Sequence, residues 1–330
     1  MTAAADSYRL GARRGLDACA SERGTFTVLA LDHRQNLRKA LRPDDPASAT
    51  YEEMVAFKRA VVRSLAPVAT GTLLDPEIGA AQCIADGSLP AASGLIVAIE
   101  ATGYAGPSTA RISRMLEGWS VEKAKLMGAS AAKLLVYYHP GASNAADQER
   151  LVGQVAAACR AVDLALFVEP LSFSLADGER LTGEARREVV IETARRLTAI
   201  GGDVLKAEFP YDASVADPAR WREACDELDA ASQVPWVLLS GGVDDATFEA
   251  QVEVACAAGA SGVLAGRSVW VGAATLDAPA RDAFLATTGR DRLRRLAQLV
   301  DGAGRPWREH PGALASAREP ADGWYRDYAG

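Results

Sequence analysis

Short apolar runs alternate regularly with longer amphipathic segments along this chain of 330 residues. This order is typical of a parallel β-sheet whose strands are joined by crossover helices. The apolar runs are mostly continuous stretches of Val, Leu, Ile and Ala, which indicates strands covered on both faces. We predict strands at 26–31, 72–74, 95–99, 132–137, 164–168, 203–207, 236–239 and 262–265.

The segments between these strands predict crossover helices and loops. Helices are predicted at 51–65, 119–127, 146–161, 185–200, 218–231 and 244–258, and loops at 42–49 and 276–281. Eight strands, with no hairpin pattern and no Gly-rich dinucleotide turn after the first, favour a closed (β/α)8 TIM barrel of the α/β class. An open doubly wound sheet is the alternative. We expect one domain over 1–330, a barrel with N-terminal and C-terminal extensions.

Composition excludes several kinds of partner. A net charge of −7 argues against nucleic acid as the main partner. No apolar run reaches the roughly 18 residues that span a bilayer, and the first 23 residues lack the apolar core of a signal peptide. The five cysteines are scattered without a zinc or disulfide spacing, and the three histidines form no metal set. We therefore expect a cytoplasmic protein without a metal site.

Polar residues interrupt the predicted barrel at the ends of its strands, where the chemistry of this fold collects. A polar side chain inside an apolar barrel is costly unless it is paired. The convergence of two lysines with several carboxylates therefore predicts a site. The polar residues in or just after the strands are Asp32, Asp75, Glu100, Lys133, Glu169, Lys206, Ser240 and Arg267.

Lys206 is the most informative of these residues. It follows Val204 and Leu205 in a buried strand, where a charged ammonium is poorly solvated. A neutral amine is a nucleophile that adds to a ketone and gives an iminium, which acts as an electron sink. The alternative is a structural salt bridge from Lys206 to Glu208 or Glu169.

Glu169 and Lys133 are candidates to assist that chemistry. A carboxyl group in surroundings of low polarity can hold a proton near neutral pH, which suits Glu169 to proton transfer. Glu169 is otherwise a structural partner for one of the lysines. Lys133 either favours the neutral amine of Lys206 by charge repulsion or pairs with Glu169, and the sequence leaves both roles open.

Two glycine-containing turns follow the predicted seventh and eighth strands, which form the usual phosphate corner of this fold. They are Ser240-Gly241-Gly242 and Gly266-Arg267. Glycines let backbone N–H groups approach phosphate oxygens, and Arg267 adds a charge-assisted contact. Either turn alone could simply connect a strand to the next helix. The presence of both, after the seventh and eighth strands, predicts phosphate binding.

The residues that close the first strand complete the predicted site. Asp32 and Gln35 are candidates to bind substrate hydroxyls, and Arg34 is a candidate for a second anionic end of the substrate. The alternative is a solvated loop that only caps the strand.

Taken together, these segments resemble the class I tagatose-1,6-bisphosphate aldolases and the related sulfofructose-phosphate aldolases. The matching segments are 29–34 (LALDHR), 73–77 (LLDPE), 102–104 (TGY), 133–138 (KLLVYY), 203–206 (DVLK), 239–243 (LSGGV), 262–270 (GVLAGRSVW) and 287–289 (TTG).

The resemblance implies particular roles for the candidate residues. Lys206 would be the Schiff-base lysine and Glu169 the proton-transfer residue, with Lys133 and Asp32 nearby. Ser240, Gly241, Gly242, Gly266 and Arg267 would hold a dihydroxyacetone-phosphate half. The resemblance also implies that no cofactor or metal is required.

We therefore expect reversible cleavage of a ketose 1-phosphate or 1,6-bisphosphate, by an enzyme that we expect to be a homo-oligomer. Segment 235–270 looks closer to the sulfosugar branch, whereas segment 102–104 and the C-terminal region look closer to the tagatose branch. A sulfofructose 1-phosphate or a deoxy-ketose phosphate from inositol breakdown is thus the alternative substrate. A non-catalytic sugar-phosphate-binding barrel is the alternative from another class.

Overall fold

A computed structural model describes residues 8–314, 320, 322–326 and 328 of the chain. Their parallel strands close into a barrel in chain order, in which each strand pairs with the next and the eighth pairs with the first. The strands are β1 Phe26–Leu31, β2 Gly71–Leu74, β3 Gly94–Ala98, β4 Ala131–Tyr137, β5 Ala165–Leu171, β6 Val204–Ala207, β7 Trp236–Leu239 and β8 Gly262–Ala265. The predicted (β/α)8 barrel is confirmed, and the open sheet is excluded.

Helices cover the outer face of the barrel and close its N-terminal end. They are α1 Leu10–Ala18, α2 Gln35–Leu41, α3 Tyr51–Leu65, α4 Ala80–Ala85, α5 Val121–Leu126, α6 Ala145–Ala161, α7 Gly183–Ile200, α8 Pro218–Ala231, α9 Asp245–Ala258, α10 Arg267–Trp270, α11 Ala278–Phe284 and α12 Arg290–Ala303. Local sequence sets several of their ends. The side chains of Thr50 and Asp244 accept hydrogen bonds from backbone N–H groups in the first turns of α3 and α9. Gly259, at φ 117°, ends α9.

The predicted elements agree with the structure apart from small shifts at their ends, with one wrong loop. Segment 276–281 was predicted as a loop, but α11 begins inside it. The Asp277 side chain accepts from the backbone N–H of Ala280, and Pro279 lies in the first turn. An N-cap followed by a proline is a helix start. The same residue types also favour turns, which explains the error.

Alternate residues of the strands fill the barrel interior. Phe26, Val28 and Ala30 of β1 pack there together with α1, and Trp307 packs at the same end. Apolar packing thus closes the N-terminal end of the barrel and leaves the C-terminal ends of the strands to form a cavity. No helix among the described residues is long and apolar enough to cross a membrane. Residues 1–7 and parts of the C-terminal extension lie outside the described residues, and the single-domain organisation stays a prediction.

Candidate active site

A cavity of about 730 Å³ opens at the C-terminal ends of the strands. This volume lies within the range of small-molecule sites, roughly 300–1,000 Å³. The cavity brings together nearly all the residues that the sequence singled out for the site. Those that line it are Asp32, Arg34, Gln35, Lys133, Glu169, Lys206, Ser240, Gly241, Gly266 and Arg267. Gly242 does not line it but lies next to the Arg267 guanidinium.

The two-residue period of β-strands explains why these charged side chains point inward. Side chains two positions apart lie on the same face of a strand. Lys133 comes two positions after Ala131, Glu169 two after Phe167, and Lys206 two after Val204, and each of these apolar residues packs in the barrel interior. The apolar column of each strand therefore ends in a charged group on the floor of the cavity.

Lys133 is the centre of a buried charge cluster. Its side chain is fully buried, and its Nζ lies 2.7 Å from Asp32 Oδ2, 2.8 Å from Glu100 Oε1 and 2.8 Å from Glu169 Oε2. Burial disfavours the ammonium form, but these three carboxylates outweigh it and raise the pKa of Lys133 well above its usual value. Lys133 is therefore a fixed positive charge rather than a proton donor.

Lys206 contacts Glu169 and not Glu208. Its Nζ lies 2.6 Å from Glu169 Oε1, and the residue is only 4% exposed. Glu208 is engaged elsewhere, since it accepts from the Arg186 guanidinium at 3.0 Å and from the Ser172 hydroxyl at 2.6 Å. Of the two salt bridges that the sequence left open for Lys206, the structure forms the one to Glu169.

The protonation state expected for Glu169 from its burial alone is wrong for the free protein. Burial does favour the neutral acid, but Lys133 and Lys206 outweigh it and lower the pKa of Glu169 below its ordinary value. For Asp32, burial is likewise outweighed, chiefly by Lys133 and Lys206, and its pKa falls well below the usual range. Both groups are carboxylates near neutral pH, so Glu169 enters a reaction as a proton acceptor.

Arg34 is bound to neighbouring residues of the protein. Its Nη1 donates to Glu77 Oε2 at 2.6 Å, and its Nη2 donates to the carbonyl of Glu100 at 3.0 Å and lies 3.6 Å from Glu100 Oε1. These contacts leave its guanidinium committed to protein carboxylates. Gln35 begins α2 and is exposed at the cavity.

The predicted phosphate corner lies where β7 and β8 end. Gly241 and Gly242 have φ of 56° and 84°, in the left-handed region that favours glycine. A Cβ at Gly242 would stand 2.7 Å from Arg267 Nη2, so a side chain there would displace the guanidinium. Burial lowers the pKa of Arg267, and no carboxylate of the described residues forms a salt bridge with it. Arg267 therefore offers a partly desolvated positive charge to the cavity.

Several residues of the site have a role that the sequence does not indicate. Glu100 is recognisable from the sequence only as a strand-end carboxylate, yet it binds both Lys133 and Arg34. Tyr137 lines the cavity, and the two-residue period that runs from Lys133 through Leu135 would have identified it. Arg111 also lines the cavity, but it lies in a long loop where no periodic signal exists.

Asp75, which the sequence placed among the strand-end residues, has a structural role. It is completely buried and does not line the cavity. Its side chain binds the equally buried Lys58 and accepts from the backbone N–H of Ile78 at 2.8 Å. Lys58 lies on the apolar face of α3, which was the signal for its burial.

The chemistry of the site is that of an amine beside carboxylates. Within the described ranges, no three His, Cys, Asp or Glu side chains are arranged to hold a metal ion. The expectation of a mechanism without metal or cofactor stays a prediction.

The chain is similar to known proteins over most of its length. A family model described as DeoC/LacD family aldolase matches residues 26–272. Tagatose 1,6-diphosphate aldolase 2 of Streptococcus agalactiae serotype III (strain NEM316) is 30% identical over 320 residues, covering 90% of this chain and 97% of the relative.

Solved structures share the fold at low sequence identity. An archaeal fructose-1,6-bisphosphate aldolase, with its catalytic lysine bound to a carbinolamine intermediate, superposes with a TM-score of 0.56 at 23% identity, covering 87% of this chain and 98% of that one. The fructose-bisphosphate aldolase of Plasmodium falciparum superposes with a TM-score of 0.69 at 12% identity, covering 90% and 95%.

Proposed function

The chain belongs to the DeoC/LacD family of aldolases, and on that premise we propose that Lys206 is the lysine that forms the Schiff base. The observation that carries the proposal is the contact of 2.6 Å between Lys206 Nζ and Glu169 Oε1 on the cavity floor. A nucleophilic amine needs a base to take its proton, and this carboxylate is within hydrogen-bond distance of it.

The reaction would proceed through an iminium on Lys206. Its Nζ adds to the C2 carbonyl of a ketose phosphate, and the carbinolamine loses water to give the iminium. A carboxylate of the cluster accepts the proton of the 4-hydroxyl, whose electron pair forms the new C4=O bond. The C3–C4 pair then flows into the iminium, so that the aldehyde leaves and an enamine remains. Protonation at C3 and hydrolysis release dihydroxyacetone phosphate and free the lysine.

Glu169 would move the protons of the first steps. Because its pKa is lowered, it begins as a carboxylate and accepts a proton from the Lys206 ammonium. It then returns that proton to the carbinolamine hydroxyl, which leaves as water. Lys133 would keep its charge throughout and hold Asp32 and Glu169 in place, since it contacts both.

The C1 phosphate would bind at the end of β7 and β8. Ser240, Gly241, Gly266 and Arg267 line this part of the cavity. A phosphate there would meet the guanidinium of Arg267, and the open backbone of the glycines would allow close approach. Gly242 supports the corner by leaving room for that guanidinium.

The proposed substrate is a ketose 1-phosphate or 1,6-bisphosphate of the tagatose-1,6-bisphosphate type. The streptococcal relative, which is named for tagatose 1,6-diphosphate, supports this choice. The alternatives are 6-deoxy-6-sulfofructose 1-phosphate and a deoxy-ketose phosphate from inositol breakdown. Comparing kcat/KM across a panel of these phosphates distinguishes them.

The proposed setting is the cytoplasm, with a small sugar phosphate as the partner rather than nucleic acid or a membrane. All five cysteines are buried and free, which fits a reducing compartment. We also propose a homo-oligomer, to be checked by light scattering on the full chain.

Borohydride trapping tests the Schiff base directly. Borohydride reduces an iminium to a stable secondary amine, so incubation with dihydroxyacetone phosphate should add one reduced adduct, located at Lys206 by peptide mass spectrometry. The K206M variant should remain unlabelled. K39M, which removes another lysine that lines the cavity, should be labelled like the wild type. Unlabelled wild-type protein whose activity disappears in EDTA would refute the proposal.

A further inference from the structure

Arg111 is another arginine of the cavity, and its guanidinium lies close to three aromatic rings. It lines the cavity from the loop between β3 and α5. The centre of its guanidinium lies 4.7 Å from the Tyr104 ring centroid, 5.1 Å from that of Phe173 and 5.8 Å from that of Tyr137. Aromatic faces attract a cation without neutralising it. The rings therefore fix the guanidinium and leave its charge available.

The loop that carries Arg111 is itself well fixed. Ala105 and Ile112 exchange backbone hydrogen bonds of 2.9 and 2.8 Å across it. The Asn144 side chain donates to the carbonyl of Arg111 at 2.8 Å. A guanidinium on such a loop is held in place before a ligand arrives, which reduces the entropy lost on binding.

No described residue occupies the terminal nitrogens of Arg111. Its Nε donates to the carbonyl of Ser108 at 3.0 Å, and no carboxylate in the described part of the chain forms a salt bridge with it. Arg34, the arginine that the sequence suggested for a second anionic end, is instead bound to Glu77 and Glu100. Arg111 is thus better placed than Arg34 to bind an anion.

Barrel topology sets Arg111 opposite the phosphate corner. Strands are arranged around the ring in chain order, so β4 is four strands from β8, on the other side of the mouth. Arg111 contacts Tyr137, the last residue of β4, whereas Arg267 directly follows the Ala265-Gly266 end of β8. A substrate with its C1 phosphate at β8 and its C2 on Lys206 would extend its remaining carbons towards Arg111.

We infer that Arg111 binds a tetrahedral anion, phosphate or sulfonate, on the substrate carbon distal to the Schiff base. The inference rests on the proposed function, because it needs the substrate to be anchored at Lys206 and the phosphate corner. The planar fork of arginine suits bidentate contact with such oxyanions. The site thereby selects against ketose 1-phosphates whose far end is uncharged.

Kinetics on three substrates tests this inference. They are a ketose 1,6-bisphosphate, the 6-deoxy-6-sulfo analogue of the 1-phosphate, and a 1-phosphate with an uncharged sixth carbon. For R111Q we expect the ratio of kcat/KM for the preferred anionic substrate over the uncharged one to fall roughly 10- to 100-fold, the effect of losing charge-assisted hydrogen bonds. R111K keeps the positive charge but lacks the planar guanidinium, so its kcat/KM ratio should lie between those of the wild type and R111Q. The anion that the wild type prefers identifies phosphate or sulfonate.

A matched control separates a local contact from a general charge effect. Arg114 lies in the same loop, is exposed and does not line the cavity, so R114Q should leave the substrate ratio unchanged. An equal loss on all three substrates in R111Q, or no loss on any of them, would overturn the inference.

Trapping with dihydroxyacetone phosphate, which has no distal carbon, distinguishes the two proposals. If the wild type is unlabelled at Lys206, the proposed function fails. If wild type and R111Q are both labelled but the substrate ratio does not change, only the role of Arg111 fails.

Discussion

Replacing Lys133 with methionine is the sharpest test of the charge cluster. Methionine has a similar length and no charge, so K133M largely fills the space while removing three contacts of 2.7–2.8 Å with Asp32, Glu100 and Glu169. Removing one partner of a buried ion pair typically costs about 3–5 kcal/mol, because the remaining charge stays buried and uncompensated. Lys133 is fully buried, so we expect its loss to lower the free energy of unfolding by about 3–5 kcal/mol at pH 7.

The pH dependence of this loss follows from the direction of the pKa shifts. In the wild type the pKa values of Asp32 and Glu169 are lowered. Their stabilisation is present above their unfolded pKa values and is lost as the pH falls through the folded ones. The pKa of Lys133 is raised, so its contribution is complete below its unfolded value and is lost as the pH rises through the folded one. In K133M the buried carboxylates lose the positive charge of Lys133 that stabilises their ionised form. Protonation neutralises them and so reduces the destabilisation. The loss of unfolding free energy relative to the wild type should therefore be largest at pH 7–8 and smaller at pH 5.

Equilibrium unfolding in urea, followed by far-UV circular dichroism at pH 5, 7 and 8, measures this effect. The control is K123M in α5, where an exposed lysine donates only to the carbonyl of Gly118. Its free energy of unfolding should change by about 0.5 kcal/mol or less. A K133M urea midpoint equal to that of the wild type at pH 7 would contradict the predicted role of Lys133. So would a loss of unfolding free energy that is the same at pH 5 as at pH 8.

Two further substitutions test the proposed chemistry. E169Q removes the proton acceptor beside Lys206 and should lower kcat roughly 10²- to 10⁴-fold in steady-state assays, and wild-type turnover in this variant would contradict the role of Glu169. Because Lys133 and Lys206 lower the pKa of Glu169 below its ordinary value, protonation of Glu169 should reduce the wild-type kcat/KM only at a pH more acidic than an ordinary glutamate would require. G242A puts a Cβ 2.7 Å from Arg267 Nη2 at a residue with a φ of 84°, so it should weaken phosphate binding and raise KM. G302A, at a glycine with open space around it, should leave KM unchanged. Equal KM values in the two variants would contradict the proposed phosphate corner.

Much of the fold followed from the order of apolar runs. Three strands and two helices, 26–31, 236–239, 262–265, 51–65 and 218–231, have the bounds predicted from the sequence. The family resemblance is confirmed by the family model and the streptococcal relative. The roles of Lys206, Glu169 and the phosphate corner stay predictions. Six helices have no counterpart among the predicted ones: α1, α2, α4, α10, α11 and α12.

The sequence by itself determined that three charged residues of the strands, Lys133, Glu169 and Lys206, reach the cavity. Strand periodicity and barrel closure place Lys133, Glu169 and Lys206 on the inner face, whatever the details of packing. Only the tertiary structure decided how they are paired and protonated. Burial alone predicts a neutral Glu169, but two lysines from other strands reverse that prediction, because Coulomb interactions depend on distances across the barrel that no spacing along the chain encodes. The same reason applies to Arg111. It lies on an irregular loop across the mouth of the barrel from Arg267, and only the tertiary structure identifies it as a candidate anion site.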